Sequence, residues 1–127
     1  MANTINTSPL MTQVSADRHV LTVDSNTIIS VTATNNTILD QVTIDNTLNT
    51  SAVYLKLYNS DAGSASTVGT TNPMWVFPCA ASSTADFTLD PGFKFLAGIQ
   101  ATCLADAGTA GTTVASNAVT IVLLTHT

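Results

Sequence analysis

Two histidines, two cysteines and eight aspartates are the residues of this 127-residue chain best suited to chemistry, and their spacing limits what that chemistry would be. His19 lies beside Asp17 and Arg18, and His126 lies far away in the chain. A nucleophilic triad needs a serine or cysteine within hydrogen-bond reach of a histidine that a carboxylate orients. Serines are abundant, but none sits in the G-x-S-x-G turn that exposes a nucleophile. Any two aspartates would serve as a glycosidase pair, so no pair is singled out. No catalytic residue is nominated, and an enzyme is not expected. The turn segments Asp24-Ser25-Asn26 and Asp45-Asn46 offer oxygen ligands. A full calcium loop also needs its glycine and terminal glutamate, and the chain has no glutamate at all. Asp and Asn in turns ordinarily bond the local backbone instead, so neither a metal nor a cofactor is expected. Cys79 and Cys103 match no metal-binding spacing and are expected as small buried hydrophobes. A disulfide between them stays open, because pairing cannot be deduced from sequence.

Aromatic residues offer a different chemistry, that of contact. The run VGTTNPMWVFP, residues 68–78, contains the only tryptophan. Pro73 and Pro78 remove ladder donors, which predicts an edge strand or a strand ended sharply at both sides. Trp75 and Phe77, two apart, share one face, expected to pack in the subunit core or at an oligomer contact. In AVYLKLY, Val53, Leu55 and Leu57 point inward, while Tyr54, Lys56 and Tyr58 form an outer stripe. That stripe reads either as contact surface or as a solvated face with the lysine stem lying over the rings. Trp75, Phe77, Tyr54 and Tyr58 are the candidate core or oligomer packing anchors.

The elements that would carry these residues are strands. Only 9% of residues are charged, against roughly 25% in ordinary soluble domains. Threonine and β-branched apolar residues, which suit a pleated surface, dominate. Alternation at period two marks RHVLTV, IISVTAT (Ile29, Val31 and Ala33 on one face), TILDQVTID (Ile38, Val42 and Ile44) and AVYLKLY. Further short strands follow in WVF, TADFTLD, FKF, IQATCL and NAVTIVLL, with Pro91-Gly92 read as a turn between the second and third. The last strand is apolar on both sides, so a central or contact position is expected. Turn signals every 8–12 residues predict an all-β, jelly-roll-like β-sandwich of about eight short antiparallel strands. Residues 1–17 are polar and aperiodic and read as an extended N-terminal arm, leaving 18–127 as a single domain.

Charge narrows the partners. The net charge is −5, and Arg18, Lys56 and Lys94 are the only basic side chains. Nucleic-acid binding needs several cation–phosphate contacts, so it is set aside. The apolar run 118–124 is too short to span a membrane as a helix. The opening MANTINTSPL has neither a basic segment nor an apolar core, so no secretory signal is expected. Few charges also mean weak defence against edge pairing, which suits a chain held in an assembly.

From about Val53 onward, the chain resembles a family of small virion proteins of tailed bacteriophages. The resemblance rests on VYLKLYN at 53–59, VGTTNPMWVFP at 68–78, FTLDPGFKFLAGIQATC at 87–103 and the late loop ADAGTAGTTVASNAVTIVL. Met74-Trp75 departs from the smaller aliphatic residues usual in that family after the V-G-T-x-x-P turn. The resemblance implies a capsid decoration (cement) protein with a jelly-roll-like sandwich that binds the major capsid protein. It also implies a homo-oligomer, expected as a trimer, on the capsid surface of a virion made in the host bacterial cytoplasm. The alternatives are a tail, neck or fibre component contacting the host surface, and a non-phage carbohydrate-binding β-sandwich.

Overall fold

The computed structural model of the chain describes residues 17–61 and 65–127. Apart from Asp17, the expected arm lies outside the described residues.

Eight strands form: β1 (Asp17–Val23), β2 (Ile29–Thr32), β3 (Thr37–Asp45), β4 (Val53–Asn59), β5 (Trp75–Cys79), β6 (Thr84–Phe95), β7 (Ile99–Leu104) and β8 (Val119–His126). They build two four-stranded sheets, ordered β1-β8-β3-β6 and β2-β7-β4-β5, in which every pair is antiparallel. The pairs are nested in sequence: β1 with β8, β2 with β7, β3 with β6 and β4 with β5. A long hairpin rolled once on itself gives this order, which is that of the double-sheet jelly roll. The expected all-β sandwich is therefore what the chain forms.

The reason is visible in the alternation. On β8, Val119, Ile121 and Leu123 are fully buried, while the residues between them reach the outer surface in part. They meet Val42 and Ile44 of β3, and across the sandwich Leu55, Leu57, Ile99 and Ala101 from the second sheet, in one apolar cluster. Burying such side chains contributes roughly 1.5–3 kcal/mol each. β8 lies between β1 and β3, the central place that its two apolar faces predict.

Strict alternation fails at two places. On β3 the inward residues are Leu39, Val42 and Ile44, each fully buried, and Ile38 is only half-buried. The pairing with β8 shifts between Leu39 and Gln41. Asp40 is thus an extra residue, a bulge that resets the parity, which a period of two could not anticipate. Opposite the same point, β6 runs straight through Pro91-Gly92. Leu39 pairs with Phe93 and Gln41 with Thr88, so four β6 residues face the single Asp40. The expected turn is instead a bulge within one twelve-residue strand. Gly92 fits it because a Cβ there would come 2.5 Å from the Ile38 side chain and 2.9 Å from the Leu39 carbonyl oxygen.

The third departure concerns the outer face of β4. Expected to meet solvent or a partner, it is covered by the chain itself: Lys56 is 1% exposed and Tyr58 2%. β7 beside it is buried along its whole length. Two loops, one between β4 and β5 and one between β7 and β8, lie over both strands as a roof.

Candidate functional site

The ionisable and nucleophilic side chains are dispersed, and most have local structural partners. His19 is paired through Nε2 with Thr125 Oγ1 at 3.0 Å. His126 Nδ1 lies 2.6 Å from Asp40 Oδ2, at the β3 bulge. Asp45 Oδ1 accepts bonds from the backbone N–H and the hydroxyl of Thr47, which hold its carboxyl below the usual carboxylate range. Ser25 Oγ accepts from the Thr27 N–H. Among the described residues, no three His, Cys, Asp or Glu side chains gather as a metal site would require. Cys79 and Cys103 are both buried free thiols. Burial pushes both thiols up, Cys103 to about 12, so neither is a ready nucleophile near neutral pH.

The roof over β4 and β7 is a polar construction. The Lys56 ammonium donates to the Gly108 carbonyl oxygen at 2.7 Å, with the Gly111 carbonyl oxygen at 3.5 Å. Burial pushes its pKa down, and the neighbouring Asp106 pulls it back up. Gln100, on β7, accepts from the Ser66 N–H and donates to the Asp61 carbonyl, both at 2.8 Å. The two loops also touch each other: Thr109 Oγ1 donates to Asn72 Oδ1 at 3.0 Å. Gly69, at φ +89°, turns the first loop where the second crosses it, and a Cβ there would meet the Thr112 methyl at 2.9 Å. The glycines of the late loop thus present carbonyls to a lysine, not N–H groups to a phosphate.

A second polar knot closes the opposite end of β4. Asn46 and Asn49 are buried in it. Asn46 Nδ2 donates to the carbonyls of Ser51 and Ala80, and its Oδ1 accepts from Asn49 Nδ2 at 2.9 Å. Asn49 Oδ1 in turn accepts the Asn117 N–H at 2.7 Å. Three loops are tied together by these amides. Sequence analysis reads Asp45-Asn46 as a turn, and nothing in its pattern predicts that Asn46 and Asn49 are buried and join three loops. Beside this knot lies a shallow cavity of about 170 Å³ lined by Asn49, Val53, Ala105, Thr113, Val114 and Ser116, among others. It holds no charged side chain, so it offers shape without chemistry.

The four anchor candidates separate. Tyr58 is under the roof, and burial raises its pKa; Tyr54, on the same face, is half-buried. Phe77 is in the core at 5% exposure, and Trp75, two residues earlier on the edge strand β5, is 37% exposed. These two rings stack with centroids 6.0 Å apart. Trp75 also meets Phe93 edge-on at 4.0 Å, and Phe77 meets Phe87 at 5.1 Å. Phe95 touches Phe93 at 6.2 Å. All four phenylalanines of the chain and its tryptophan therefore form one string bridging β5 and β6, the edges of the two sheets. Met74, 44% exposed, adjoins Trp75, the middle and most open ring of the string. Sequence reasoning paired Trp75 with Phe77 but missed the β6 rings, because the β5–β6 apposition is a property of the roll.

No protein-family model matches this chain, and no curated protein matches it as a relative.

Proposed function

We propose that the chain is a structural protein of a tailed-bacteriophage virion, a decoration protein that seats on the major capsid protein and reinforces the head. The reading is non-catalytic and takes no cofactor, nucleic acid or membrane as partner. The observation that carries it is the exposed Met74–Trp75 step at the middle of the aromatic string, set on a sandwich whose polar groups are largely committed to its own loops. A rigid, low-charge shell with one aromatic outcrop is suited to docking. The outcrop lies within VGTTNPMWVFP, one of the stretches that carry the phage resemblance, at the two residues, Met74 and Trp75, where the chain departs from that family's pattern. Seating would be driven by apolar burial at about 25 cal/mol per Å², less the cost of association. A homo-oligomer, with a trimer as the expected state, would place several such steps on one capsid site. Assembly would take place in the host bacterial cytoplasm, with the mature protein on the virion surface.

Mass spectrometry and denaturing gels of purified virions test this directly. High copy number, comparable to that of the major capsid protein, is expected; absence from the particles would sink the reading. A few copies per particle would favour a tail, neck or fibre component instead. The half-open indole ring of Trp75 also favours one further reading, a carbohydrate-contacting sandwich. Glycan binding lost in Trp75→Ala, by a protein absent from virions, would establish it.

A further inference from the structure

Four strands form the free edges of the two sheets: β1 and β6 in one, β2 and β5 in the other. Unprotected edges invite pairing with another chain, and proteins block them with proline, bulges or brevity. β6 has Pro91 and the bulge opposite Asp40. β5 is five residues long and includes Pro78. β2 is four residues long, and its register slips between Ser30 and Thr32. β1 has none of these devices. Its seven residues, DRHVLTV, run against β8 in unbroken register from Asp17 opposite Thr125 to Val23 opposite Val119. Among the described residues, no strand lies on its other side.

Charge is the remaining defence, and on β1 it works the other way. Like charges along an edge would repel a second copy. Here Arg18 stands near the start of the strand and Asp24 directly after its end, both exposed and, by the alternation of the strand, on the same face. Place two copies of β1 antiparallel about a two-fold axis through Leu21. Arg18 of each then stands opposite Asp24 of the other, Val20 opposite Thr22, and His19 opposite Val23. Opposite charges directly across an antiparallel pair are favourable, and Val20, 50% exposed, gains a cross-strand neighbour. A slip of one residue would exchange the inner and outer faces. A slip of two puts Arg18 opposite Thr22 or beyond Asp24, and loses both ion pairs.

We propose that the free edge of β1 pairs with β1 of a second copy, joining two four-stranded sheets into one continuous eight-stranded sheet. The contact is isologous, as a two-fold axis requires, and its affinity comes from backbone hydrogen bonds, with the charge pairs setting register. A strip about 24 Å long, at roughly 3.4 Å per residue, is smaller than a standard interface. The dimer is accordingly reversible and favoured by crowding on a surface. It does not rest on the decoration reading: a protein that dimerises this way but never enters a virion would uphold the pairing and defeat only that reading.

Sedimentation of the full chain over a concentration series, at low and high salt, is the test. Dimers of the 13.1 kDa chain are expected at high concentration, weakening with salt. Arg18→Asp and Asp24→Arg, each singly, should raise the dissociation constant at least about tenfold, and the double reversal should restore it. Thermal melts of each variant confirm that the fold survives. A chain that stays monomeric, or a dimer indifferent to the single reversals, overturns the proposal. So does a dimer that forms only when residues 1–15 are removed, since the chain's own leading segment would then be the occupant of the edge.

Discussion

Lys56, Gln100 and Thr102 show how much one buried polar side chain can decide. Lys56 and Gln100 find carbonyl or N–H partners in the roof, whereas Thr102 Oγ1 is buried with no hydrogen-bond partner among the described residues. An unsatisfied buried hydroxyl costs about 1–3 kcal/mol. Thr102→Val, nearly the same shape, should therefore raise the urea midpoint. Asn46→Ala removes the bonds to the Ser51 and Ala80 carbonyls and leaves the Asn49 amide with the Asn117 carbonyl alone, and should cost about 1–3 kcal/mol in the same assay. The thiols make a pH prediction. Cys103 ionises at about 12 in the fold, against 9.0 as the ordinary value. The native state thus holds a proton that the unfolded chain releases, and stability falls as pH rises through that window. At full development the loss from Cys103 is about 4 kcal/mol. Cys79 and Tyr58, both raised by burial, act in the same direction. Lys56, lowered, acts in the opposite one just below its usual 10.5. Denaturant titrations at pH 8 to 11 should show the decline, and Cys103→Ala should flatten it. Burial of Cys79 and Cys103 was expected from their residue type, but the polar roles were not legible: Tyr54, Lys56 and Tyr58 alternate as a solvent-facing stripe would, and the roof is made by loops whose path no local pattern sets.

At the scale of elements, the sequence carried most of the strands and neither bulge. Alternation identifies β1, β4, β7 and β8 because their inward residues fall two apart without interruption, and the prolines around Trp75 mark β5 as an edge. β3 and β6 misled for one shared reason. Asp40 faces four residues of β6, and that mismatch exists only between strands, so neither strand announces it. Gly92 is the residue that makes it possible, and Gly92→Val should cost about 1–3 kcal/mol through collision with Ile38 and the Leu39 carbonyl. Comparing its melting temperature with that of Gly108→Val, where the added carbon meets nothing within 4 Å, separates collision from the general effect of losing glycine. The aromatic string offers the corresponding test across sheets. Phe77→Ala should cost about 3–5 kcal/mol as a core truncation. Trp75→Ala, starting from a half-open site, should cost less in unfolding and more in whatever Trp75 contacts outside the subunit. A Trp75→Ala protein unchanged in both stability and association would leave the exposed step without a role.

For the whole molecule, composition indicated an all-β chain through few charges, much threonine and no glutamate, and the spacing of turn signals indicated the sandwich. The strand order was not legible, because partners that lie far apart in sequence are selected by packing. That order carries a consequence for how the protein is made. Among the described residues β1 pairs with β8 alone, and β8 also fills the centre of its sheet between β1 and β3. β1 therefore waits for β8, and until residues 119–126 emerge, one sheet of the sandwich lacks its middle. During that interval Leu21, Val23, Val42 and Ile44 lie open to other nascent chains. Ribosome-bound chains halted before Val119 should be cleaved readily by protease, whereas those extended far enough for His126 to clear the exit tunnel should resist. In this topology β8 must be out of the tunnel before its sheet begins to protect itself.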